Sequence, residues 1–300
     1  MKYITEEDVT KNLKMSELMD ILEDSFREYG YGHADSSPRD RIFTGSGFLN
    51  TMPAYIEKYG IAGLKTYTAT ASVSQFVVII FPIENPKDYF VIDAGRLGQM
   101  RTGALPGMVS RKILKDKKSN VDFLLIGSGY QAETQLEAMV NSLNLESAHV
   151  YSRNIEHAKK FIEKMEKQLS IDIKIEESRN NISKYNVINT VTNTKDPIID
   201  HKNVPEKYHM NLVGANLATR REISTEVMKK SDLVIVEHSE QAIKESSEIQ
   251  DIVGQDKVVD LKEFMLEDTI QSERSIFKTM GIGLEDIVAG YLVLKNMDLI

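Results

Sequence analysis

Residues Val121 to Ala138 read VDFLLIGSGYQAETQLEA, and the periodicity of this stretch changes at a glycine turn. Val121 to Ile126 is an apolar run with a length typical of a buried strand, and it is too short for most helices. The turn from Gly127 to Ala132 follows, after which apolar residues recur at helical spacing. The stretch therefore predicts a strand, a tight turn and a helix in direct succession.

The turn has the form G-x-G-x-x-A, which indicates dinucleotide binding when a strand precedes it and a helix follows. Gly127 permits the tight turn, Gly129 lets the backbone approach a pyrophosphate, and Ala132 allows the helix to pack closely. Free N–H groups at the start of the helix are expected to face the phosphates. An ordinary strand-to-helix turn is the alternative interpretation. The other predicted cofactor contacts in the turn are Ser128, Tyr130 and Gln131.

The composition excludes several classes of function. The chain has 300 residues, of which 41% are hydrophobic and 27% charged, as in a globular protein of one large domain or two ordinary ones. A net charge of −8 argues against a nucleic-acid partner. The chain has no cysteine, and its six histidines are not spaced like metal ligands, so we expect no metal. The polar N-terminus and the lack of a long apolar span predict a cytoplasmic protein without membrane association.

The first ~95 residues are expected to form helices followed by an antiparallel sheet. Thr5 begins a capping box, and Ser16 is a candidate cap for a longer helix that ends near Gly30. Residues 97–115 are predicted to be helical, and Pro106 implies either a kink or a later start of this helix. The three strand-like runs are Gly63 to Thr70, Phe76 to Phe81 and Tyr89 to Asp93.

From Val121 onward, strand and helix patterns alternate, which predicts an α/β Rossmann-type doubly wound parallel sheet. Further strands are expected at 147–151, 171–175, 186–191, 209–213, 233–236 and 258–261. The charged run Lys115 to Lys118 is interpreted as the domain junction, although a solvated helix end explains it equally well. We predict an α+β domain over 1–116 that is joined by the C-terminal helix 284–300, and a dinucleotide-binding domain over 117–283.

The end of the second strand of this domain indicates the type of dinucleotide. An acid at this point favours NAD, whereas an arginine accommodates the additional phosphate of NADP. Here Tyr151 is followed by Ser152, Arg153 and Asn154, which offer hydrogen bonds and a guanidinium group. The sequence therefore favours NADP(H), with NAD(H) as the alternative. Stacking of Arg153 on the adenine is a second interpretation of that residue.

Four basic residues of the first domain are open to more than one interpretation. Lys65, among strand formers, is either a gatekeeper on an edge strand or a pocket residue. Arg101, followed by a threonine near a helix start, is more typical of a capping or phosphate-adjacent position. Arg39 and Arg41 lie in a predicted loop, where solvation is the default expectation.

An ordered set of short motifs along nearly the whole chain resembles the ornithine cyclodeaminase/mu-crystallin family. The motifs are the arginine segment ending in Met52-Pro53-Ala54-Tyr55, Gly63-Leu64-Lys65, residues 97–104 (LGQMRTGA), residues 127–132, Val213-Gly214-Ala215-Asn216, Arg221-Glu222-Ile223, residues 277–281 (FKTMG) and Glu285-Asp286. The resemblance implies a Rossmann domain inserted into a substrate-binding and dimerisation domain, and hence a homodimer.

The resemblance also implies roles for individual residues. A loop arginine, a strand lysine and the arginine of an Arg-Thr pair surround the substrate carboxylate in the family, and these resemble Arg39 (or Arg41), Lys65 and Arg101. Lys65 is then the proton-transfer candidate, and Asn216 and Thr279 line the site. Further cofactor contacts are expected at Thr102, Thr190, Val191, Thr192, Gly214, Asn216 and Thr279.

The chain departs from the cyclodeaminase pattern at Asn216, where those enzymes carry an aspartate that acts as acid and base. An amide cannot take up a proton at neutral pH. We therefore expect an NAD(P)H-dependent oxidoreductase acting on the C–N bond of a small α-imino or α-amino acid, such as a ketimine reductase, a pyrroline-2-carboxylate reductase or an alanine-dehydrogenase-like enzyme. The alternatives are an ornithine cyclodeaminase and a non-catalytic, mu-crystallin-like binding protein.

Overall fold

The computed structural model describes residues 1–70, 73–115, 121–143, 145 and 147–300. The strands are β1 (Lys2–Ile4), β2 (Ala34–Ser36), β3 (Asp40–Thr44), β4 (Gly47–Ile56), β5 (Ile61–Thr70), β6 (Ser74–Pro82), β7 (Phe90–Asp93), β8 (Phe123–Ile126), β9 (Ser147–Tyr151), β10 (Asp172–Ile175), β11 (Val187–Thr190), β12 (Tyr208–Leu212), β13 (Leu233–Val236), β14 (Val258–Asp260) and β15 (Arg274–Lys278). The helices are α1 (Glu6–Asn12), α2 (Met15–Gly30), α3 (Gly95–Leu114), α4 (Tyr130–Ser142), α5 (Ile155–Leu169), α6 (Thr225–Lys230), α7 (Ser239–Glu245), α8 (Ser247–Gln250), α9 (Leu261–Phe264) and α10 (Gly283–Asn296), with a 3-10 helix at Arg179–Lys184.

The chain forms two compact units, one of residues 1–104 and 281–300 and the other of residues 105–280. The division falls inside α3, before the position at which the sequence analysis places the domain boundary. Except for Lys115, the charged run interpreted as the domain junction lies outside the described residues.

The first unit is built on one sheet with the strand order β1-β7-β6-β5-β4-β2, in which β3 also pairs with β4. The three predicted strand runs are present as β5, β6 and β7, and they pair antiparallel as expected. The sheet also has a parallel edge that the sequence analysis did not predict, since β1 pairs parallel with β7. β1 is only three residues long, too short to show a periodicity.

The helices α1 and α2 begin differently from one another. At α1 the predicted capping box is present, since Asp8 N donates to Thr5 Oγ1 over 3.2 Å and Thr5 N donates to Asp8 Oδ2 over 3.0 Å. The prediction that Ser16 caps α2 is wrong, because α2 begins at Met15 and Ser16 lies in its first turn. Burial of a helical stripe of apolar residues accounts for the position of α2.

Helix α10 packs against the sheet of the first unit, and most of its residues are buried. Its first residue, Gly283, lies so close to β4 that a Cβ atom would be 2.2 Å from Met52 O. Acidic residues in its first turn, Glu285 and Asp286, are buried as well. The helix thus brings two carboxyl groups into the interior of the unit.

The second unit contains an eight-stranded sheet with the order β10-β9-β8-β11-β12-β15-β13-β14, and its paired strands are parallel. The prediction of a doubly wound parallel sheet is confirmed. The sequence analysis did not predict β15, which lies between β12 and β13. Two of its five residues, Ser275 and Lys278, are polar although they are buried, so the strand lacks an apolar run.

Alternating residues of the central strands supply two separate cores. On one face, Phe123 and Leu125 of β8 pack with apolar residues of α4 and α5. On the other face, Leu124 and Ile126 join a cluster that includes Val227 of α6. Because β8 lies between β9 and β11, the chain changes direction across the sheet at β8, and this is where ligands bind in such folds.

Helix α3 is continuous from Gly95 to Leu114, with Pro106 inside it. The alternative of a later helix start is therefore wrong. Glu6 caps the beginning of the helix, because its carboxylate accepts hydrogen bonds from Gly95 N and Arg96 N over 2.6 and 2.9 Å. No helix within the described ranges is long and apolar enough to cross a membrane.

Candidate functional site

Lys65 lies in the middle of the first unit's sheet and is only 4% exposed. The edge-strand interpretation is wrong, because β5 pairs with β4 on one side and with β6 on the other. Lys65 Nζ donates a hydrogen bond to Asp286 Oδ1 over 2.9 Å. Gly98 of α3 leaves room for the ammonium group, since a Cβ atom there would lie 3.2 Å from Nζ.

The surroundings of the Lys65 ammonium group reduce its affinity for a proton. Two aromatic faces favour the cation, since Nζ lies 5.9 Å from the centre of the Tyr67 ring and 5.5 Å from that of Phe76, but they do not determine the net effect. Burial has the largest effect and lowers the pKa of Lys65 to about 8, although Asp286 raises this pKa and Arg101 lowers it further. A lysine with a pKa this close to neutral is suited to donate and accept a proton.

Arg101 is also buried and shares a partner with Lys65. Its Nε donates to Asp286 Oδ1 over 3.1 Å, and its Nη1 donates to Glu285 Oε2 over 2.7 Å. The capping interpretation is wrong, because α3 begins at Gly95 and Arg101 lies in its interior. We refer to Lys65, Arg101, Glu285 and Asp286 as the Lys65 cluster.

The acids of the Lys65 cluster, Glu285 and Asp286, are fully buried and are missing from the site predicted from the sequence. Glu285 Oε1 also accepts a hydrogen bond from Ile282 N, which fixes the beginning of α10. The available signal was a Glu-Asp pair at the start of an otherwise apolar helix, a place where buried charges need cationic partners.

Arg39 and Arg41 are both half-buried and therefore only partly solvated, and Arg41 lies in β3, not in the predicted loop. Arg39 Nη2 donates to Gly281 O over 3.3 Å. Gly281 has φ +80°, and a Cβ atom there would lie 2.5 Å from Arg101 Nη1, so both guanidinium groups lie against this glycine. Arg41 Nε donates to Asn50 Oδ1 over 2.9 Å, at a separate position on β4.

The glycine turn of the second unit has the geometry that a dinucleotide requires. Gly127 has φ +120°, and a Cβ atom there would lie 2.6 Å from Val191 O. A Cβ atom at Gly129 would meet no described atom within 4 Å, so the backbone is open to a ligand at that point. Helix α4 begins directly afterwards at Tyr130, and none of the described side chains caps it. The turn therefore fits a pyrophosphate at the helix N-terminus.

The end of β9 lies beside this turn. Ser128 Oγ donates to Ser152 Oγ over 3.0 Å, which connects the two segments. Arg153 is exposed, so its predicted contact with the cofactor stays a prediction. Asn154 has a structural role as well, because its Oδ1 accepts hydrogen bonds from Glu156 N and His157 N and caps α5.

The loops after β11 and β12 are held by one buried acid, Glu222. Thr192 N and Thr192 Oγ1 each donate to Glu222 Oε1 over 2.8 Å, and Gly214 N donates to Oε2 over 2.9 Å. Burial, the largest influence, raises the pKa of Glu222. Gly214 lets the loops approach, since a Cβ atom there would lie 1.9 Å from Thr192 O. In the sequence, Glu222 stands out only as part of the Arg221-Glu222-Ile223 motif, and nothing there predicts this role.

A buried lysine supports the same loops. Lys278 Nζ donates to Ala215 O over 2.7 Å and lies 3.5 Å from Glu248 Oε2. Glu248 Oε1 in turn accepts a hydrogen bond from Glu222 N over 2.7 Å. We refer to Lys278, Glu222 and Glu248 as the Lys278 cluster. The next residue after Ala215 is the predicted site residue Asn216, which is exposed.

Like Thr192, three further predicted threonines use their hydroxyl groups within the protein. Thr279 is buried, and its Oγ1 donates a short hydrogen bond to Glu237. Thr190 Oγ1 donates to Asn211 O over 3.4 Å, and Thr102 Oγ1 donates to Gly98 O over 2.7 Å. Their predicted contacts with substrate or cofactor stay predictions. Within the described part of the chain, no group of three or more acidic or histidine side chains is arranged to hold a metal ion.

The comparisons with known proteins agree with this geometry. The alanine dehydrogenase of Archaeoglobus fulgidus is 30% identical over 98% of this chain and 94% of its own length. A structure of Thermococcus litoralis Δ1-pyrroline-2-carboxylate reductase in complex with NADH and L-proline has a TM-score of 0.90 and 26% identity, and covers 99% of this chain and 97% of that chain. An archaeal alanine dehydrogenase dimer with bound NAD has a TM-score of 0.89 and 26% identity, and covers 99% and 95%.

A family model likewise matches residues 2–298, nearly the whole chain. The resemblance inferred from the ordered motifs is therefore confirmed. With the family model, the relatives and the solved structures in agreement, the chain belongs to the ornithine cyclodeaminase/mu-crystallin family.

Proposed function

We propose that the protein is an NAD(P)H-dependent oxidoreductase that interconverts a small α-imino acid and the corresponding α-amino acid. The imino acid, NAD(P)H and one proton yield the amino acid and NAD(P)+, so the C=N bond gains a hydride at carbon and a proton at nitrogen. The observation that carries the proposal is the Lys65 cluster, which holds a lysine with a pKa of about 8 next to a buried arginine. The names of the relatives, alanine dehydrogenase and pyrroline-2-carboxylate reductase, support the same chemistry.

The cofactor is held, in this proposal, by the residues of the second unit that the sequence analysis named. Gly127 and Gly129 accommodate the pyrophosphate, and Ser128 and Ser152 supply hydroxyl groups beside it. When bound, the dinucleotide supplies the hydride from C4 of its nicotinamide. The Lys278 cluster keeps the loops after β11 and β12 in place.

The substrate carboxylate is assigned to Arg39 and Arg101. This assignment is supported by the fact that both arginines contact Gly281. Arg39 donates to its carbonyl group, and the guanidinium of Arg101 lies where a Cβ atom would be. Each guanidinium group beside this glycine offers the paired N–H donors that suit a carboxylate. Arg41 is the competing choice, and its Nε is held by the buried Asn50 of β4.

Lys65 is assigned the transfer of the proton to and from the substrate nitrogen. In the reductive direction its ammonium group donates a proton to the nitrogen while the hydride adds to Cα, and solvent later restores that proton. The aromatic rings of Tyr67 and Phe76 beside Nζ favour a substrate with a compact apolar side chain or ring.

We propose NADP(H) as the preferred cofactor, with NAD(H) also accepted. The support is the exposed Arg153 after the end of β9, which Ser152 and Asn154 flank. None of these three residues is an acid of the kind that favours NAD. The bound NADH and NAD of the related structures show which dinucleotides those proteins take, and they favour the alternative. Steady-state rates with both dinucleotides distinguish the two.

A homodimer and a cytoplasmic location complete the proposal. The archaeal alanine dehydrogenase is a dimer in its structure. Phe43 and Ile42 of β3 are 79% and 59% exposed, which gives the first unit an apolar edge that a second copy could cover. Sedimentation analysis tests the dimer, and fractionation of cells tests the location.

The test of the activity is oxidation of NADPH and NADH in the presence of pyrroline-2-carboxylate, its six-membered homologue, or pyruvate with ammonia. We expect turnover with at least one of these substrates. If none is reduced and ornithine instead releases ammonia, the protein is a cyclodeaminase and the proposal is wrong. If the protein neither reduces these substrates nor releases ammonia from ornithine, but binds a dinucleotide, it is a binding protein.

A further inference from the structure

Asp286 makes contacts that the proposed reaction leaves unexplained. Its Oδ1 accepts hydrogen bonds from two different cations, Lys65 Nζ at 2.9 Å and Arg101 Nε at 3.1 Å. The side chain is completely buried. This one oxygen therefore fixes the distance between Lys65, which is assigned proton transfer, and Arg101, which is assigned binding of the substrate carboxylate.

The other carboxylate oxygen of Asp286, Oδ2, differs from Oδ1 in its contacts. Asp286 Oδ2 is buried and has no hydrogen-bond partner among the residues that the structure describes. A buried oxygen without a hydrogen-bond partner lowers the free energy of unfolding, because its lost contacts with water are not replaced. The position of Asp286 is therefore not explained by stability alone. A buried polar atom without a partner requires an explanation, and a role in the chemistry of the site is one such explanation.

The neighbouring acid has a different set of contacts. Glu285 accepts from Arg101 Nη1 at 2.7 Å and from the backbone of Ile282, and its carboxylate makes no hydrogen bond to Lys65 that the structure records. The charged and titratable groups that face Lys65 are thus Asp286 and Glu285 from α10, Arg101 from α3 and the phenol of Tyr67 from β5 itself. Asp286 is the acid in direct contact with Nζ.

We propose that Asp286 is the positioning residue of the reaction, which orients the Lys65 ammonium group for proton donation and fixes its distance from Arg101. This inference depends on the proposed function. Lys65 has three N–H donors, one of which is directed at Asp286, so the directions of the other two are determined. Because Arg101 donates to the same oxygen, Asp286 keeps a cationic partner after Lys65 has given up its proton.

Two variants of Asp286 separate its charge from its geometry. Asp286→Asn removes the negative charge that favours the ammonium form, so Lys65 should lose its proton at lower pH. Asp286→Glu keeps the charge but moves the carboxylate by about one methylene, so Lys65 should titrate nearly as in the wild type while its ammonium group is misdirected. Glu285→Gln is the matched control, because this acid binds Arg101 and not Lys65.

The titration of Lys65 is measurable without turnover. The rate at which an amine-directed acylating reagent labels the Lys65 peptide is followed by mass spectrometry as a function of pH. We expect the midpoint for Asp286→Asn to lie lower by about one pH unit or more, and that for Glu285→Gln to move less. Equal midpoints in wild type and Asp286→Asn overturn the inference.

Steady-state kinetics with the best imino acid supply the second readout. We expect Asp286→Glu to lower kcat roughly 10- to 100-fold with a pH profile like that of the wild type, whereas Glu285→Gln should mainly raise the KM of the substrate. If Asp286→Glu has the kcat of the wild type, Asp286 does not position Lys65. If the wild type itself reduces no imino acid, the proposed function has failed, while the labelling midpoints still decide whether Asp286 controls Lys65. If Asp286→Asn does not fold, as judged by circular dichroism, the Asp286→Glu result decides.

Discussion

Each unit of the protein buries a lysine together with two acids, but the two clusters differ in what they hold. In the Lys65 cluster the ammonium group contacts a side-chain carboxylate and aromatic rings. In the Lys278 cluster the ammonium group donates to a backbone carbonyl, and Glu222 accepts from backbone N–H groups of two loops. In the Lys65 cluster the hydrogen bonds orient side chains that can take part in a reaction. In the Lys278 cluster they fix the course of the backbone.

The comparison shows why burial of a charge is not by itself a mark of catalysis. Both lysines are buried, with Lys65 4% exposed and Lys278 0%, and both have carboxylates nearby. The clusters differ in their hydrogen bonding, because one buried carboxylate oxygen of the Lys65 cluster has no hydrogen-bond partner among the described residues. Replacement of each lysine should therefore affect different properties.

The largest expected effect is the loss of activity in Lys65→Met. Removal of a general acid typically costs about 10²- to 10⁴-fold in turnover, whereas the dinucleotide should bind to this variant as to the wild type. Steady-state kinetics and the fluorescence of bound NADPH measure the two properties. The exposed Lys295→Met is the control and should behave as the wild type. Normal turnover in Lys65→Met would remove Lys65 from the mechanism.

Lys278→Met should affect stability rather than chemistry. It leaves the carboxylates of Glu248 and Glu222 buried without their cationic neighbour, which typically costs about 3–5 kcal/mol. Denaturant unfolding measures the loss. The matched control is Lys244→Met, because Lys244 pairs with Glu240 on the surface and such pairs contribute about 0–1 kcal/mol. Equal losses in the two variants would mean that the Lys278 cluster has no special role in stability.

The pH dependence of reduction should follow the protonation of Lys65. The reductive direction requires the ammonium form, so kcat should be constant below the pKa of about 8 and decrease above it, by about tenfold at one pH unit higher. Oxidation of the amino acid requires the neutral amine and should increase over the same range. A pH-rate profile in both directions tests the sign. Profiles that rise or fall together would argue against Lys65 as the titrating group.

The smallest expected effect is on the choice of cofactor. Arg153→Ala should raise the KM for NADPH by roughly tenfold and leave that for NADH nearly unchanged, because a charge-assisted contact to the additional phosphate at this exposed position contributes about 1.5 kcal/mol, the lower end of the usual range. Comparison of the two KM values in wild type and variant measures this effect. A parallel increase for both dinucleotides would instead indicate that Arg153 stacks on the adenine.

Local sequence was informative where a segment's structure depends mainly on its own residues. The change from strand to helical periodicity around Gly127 predicted β8, the turn and α4 correctly, because the φ of +120° at Gly127 excludes most other residues. The capping box at Thr5 was predicted for the same reason. The prediction of a cap at Ser16 was wrong, since α2 begins one residue earlier, at the buried Met15.

Local sequence was insufficient where a residue's role depends on distant parts of the chain. Lys65 resembles an edge-strand gatekeeper until the pairing of β5 on both sides is known. Its partner Asp286 follows 221 positions later. The Glu-Asp pair at the start of that apolar helix indicates that a cation is needed, but it does not indicate which one. The strand β15 was missed because its buried polar residues are compensated by groups on other strands, such as His209, whose ring bonds to Ser275.

The amino-acid sequence alone determined the class of fold, the dinucleotide turn and, through its ordered motifs, the family. These features depend on backbone conformation and periodicity, which neighbouring residues control. Only the tertiary structure decided which charges meet, because electrostatic interactions depend on the distance between atoms and not on separation along the chain. The pairing of one carboxylate oxygen with both Lys65 and Arg101 is such a case: three segments of the chain contribute to it, and none of them indicates it by itself.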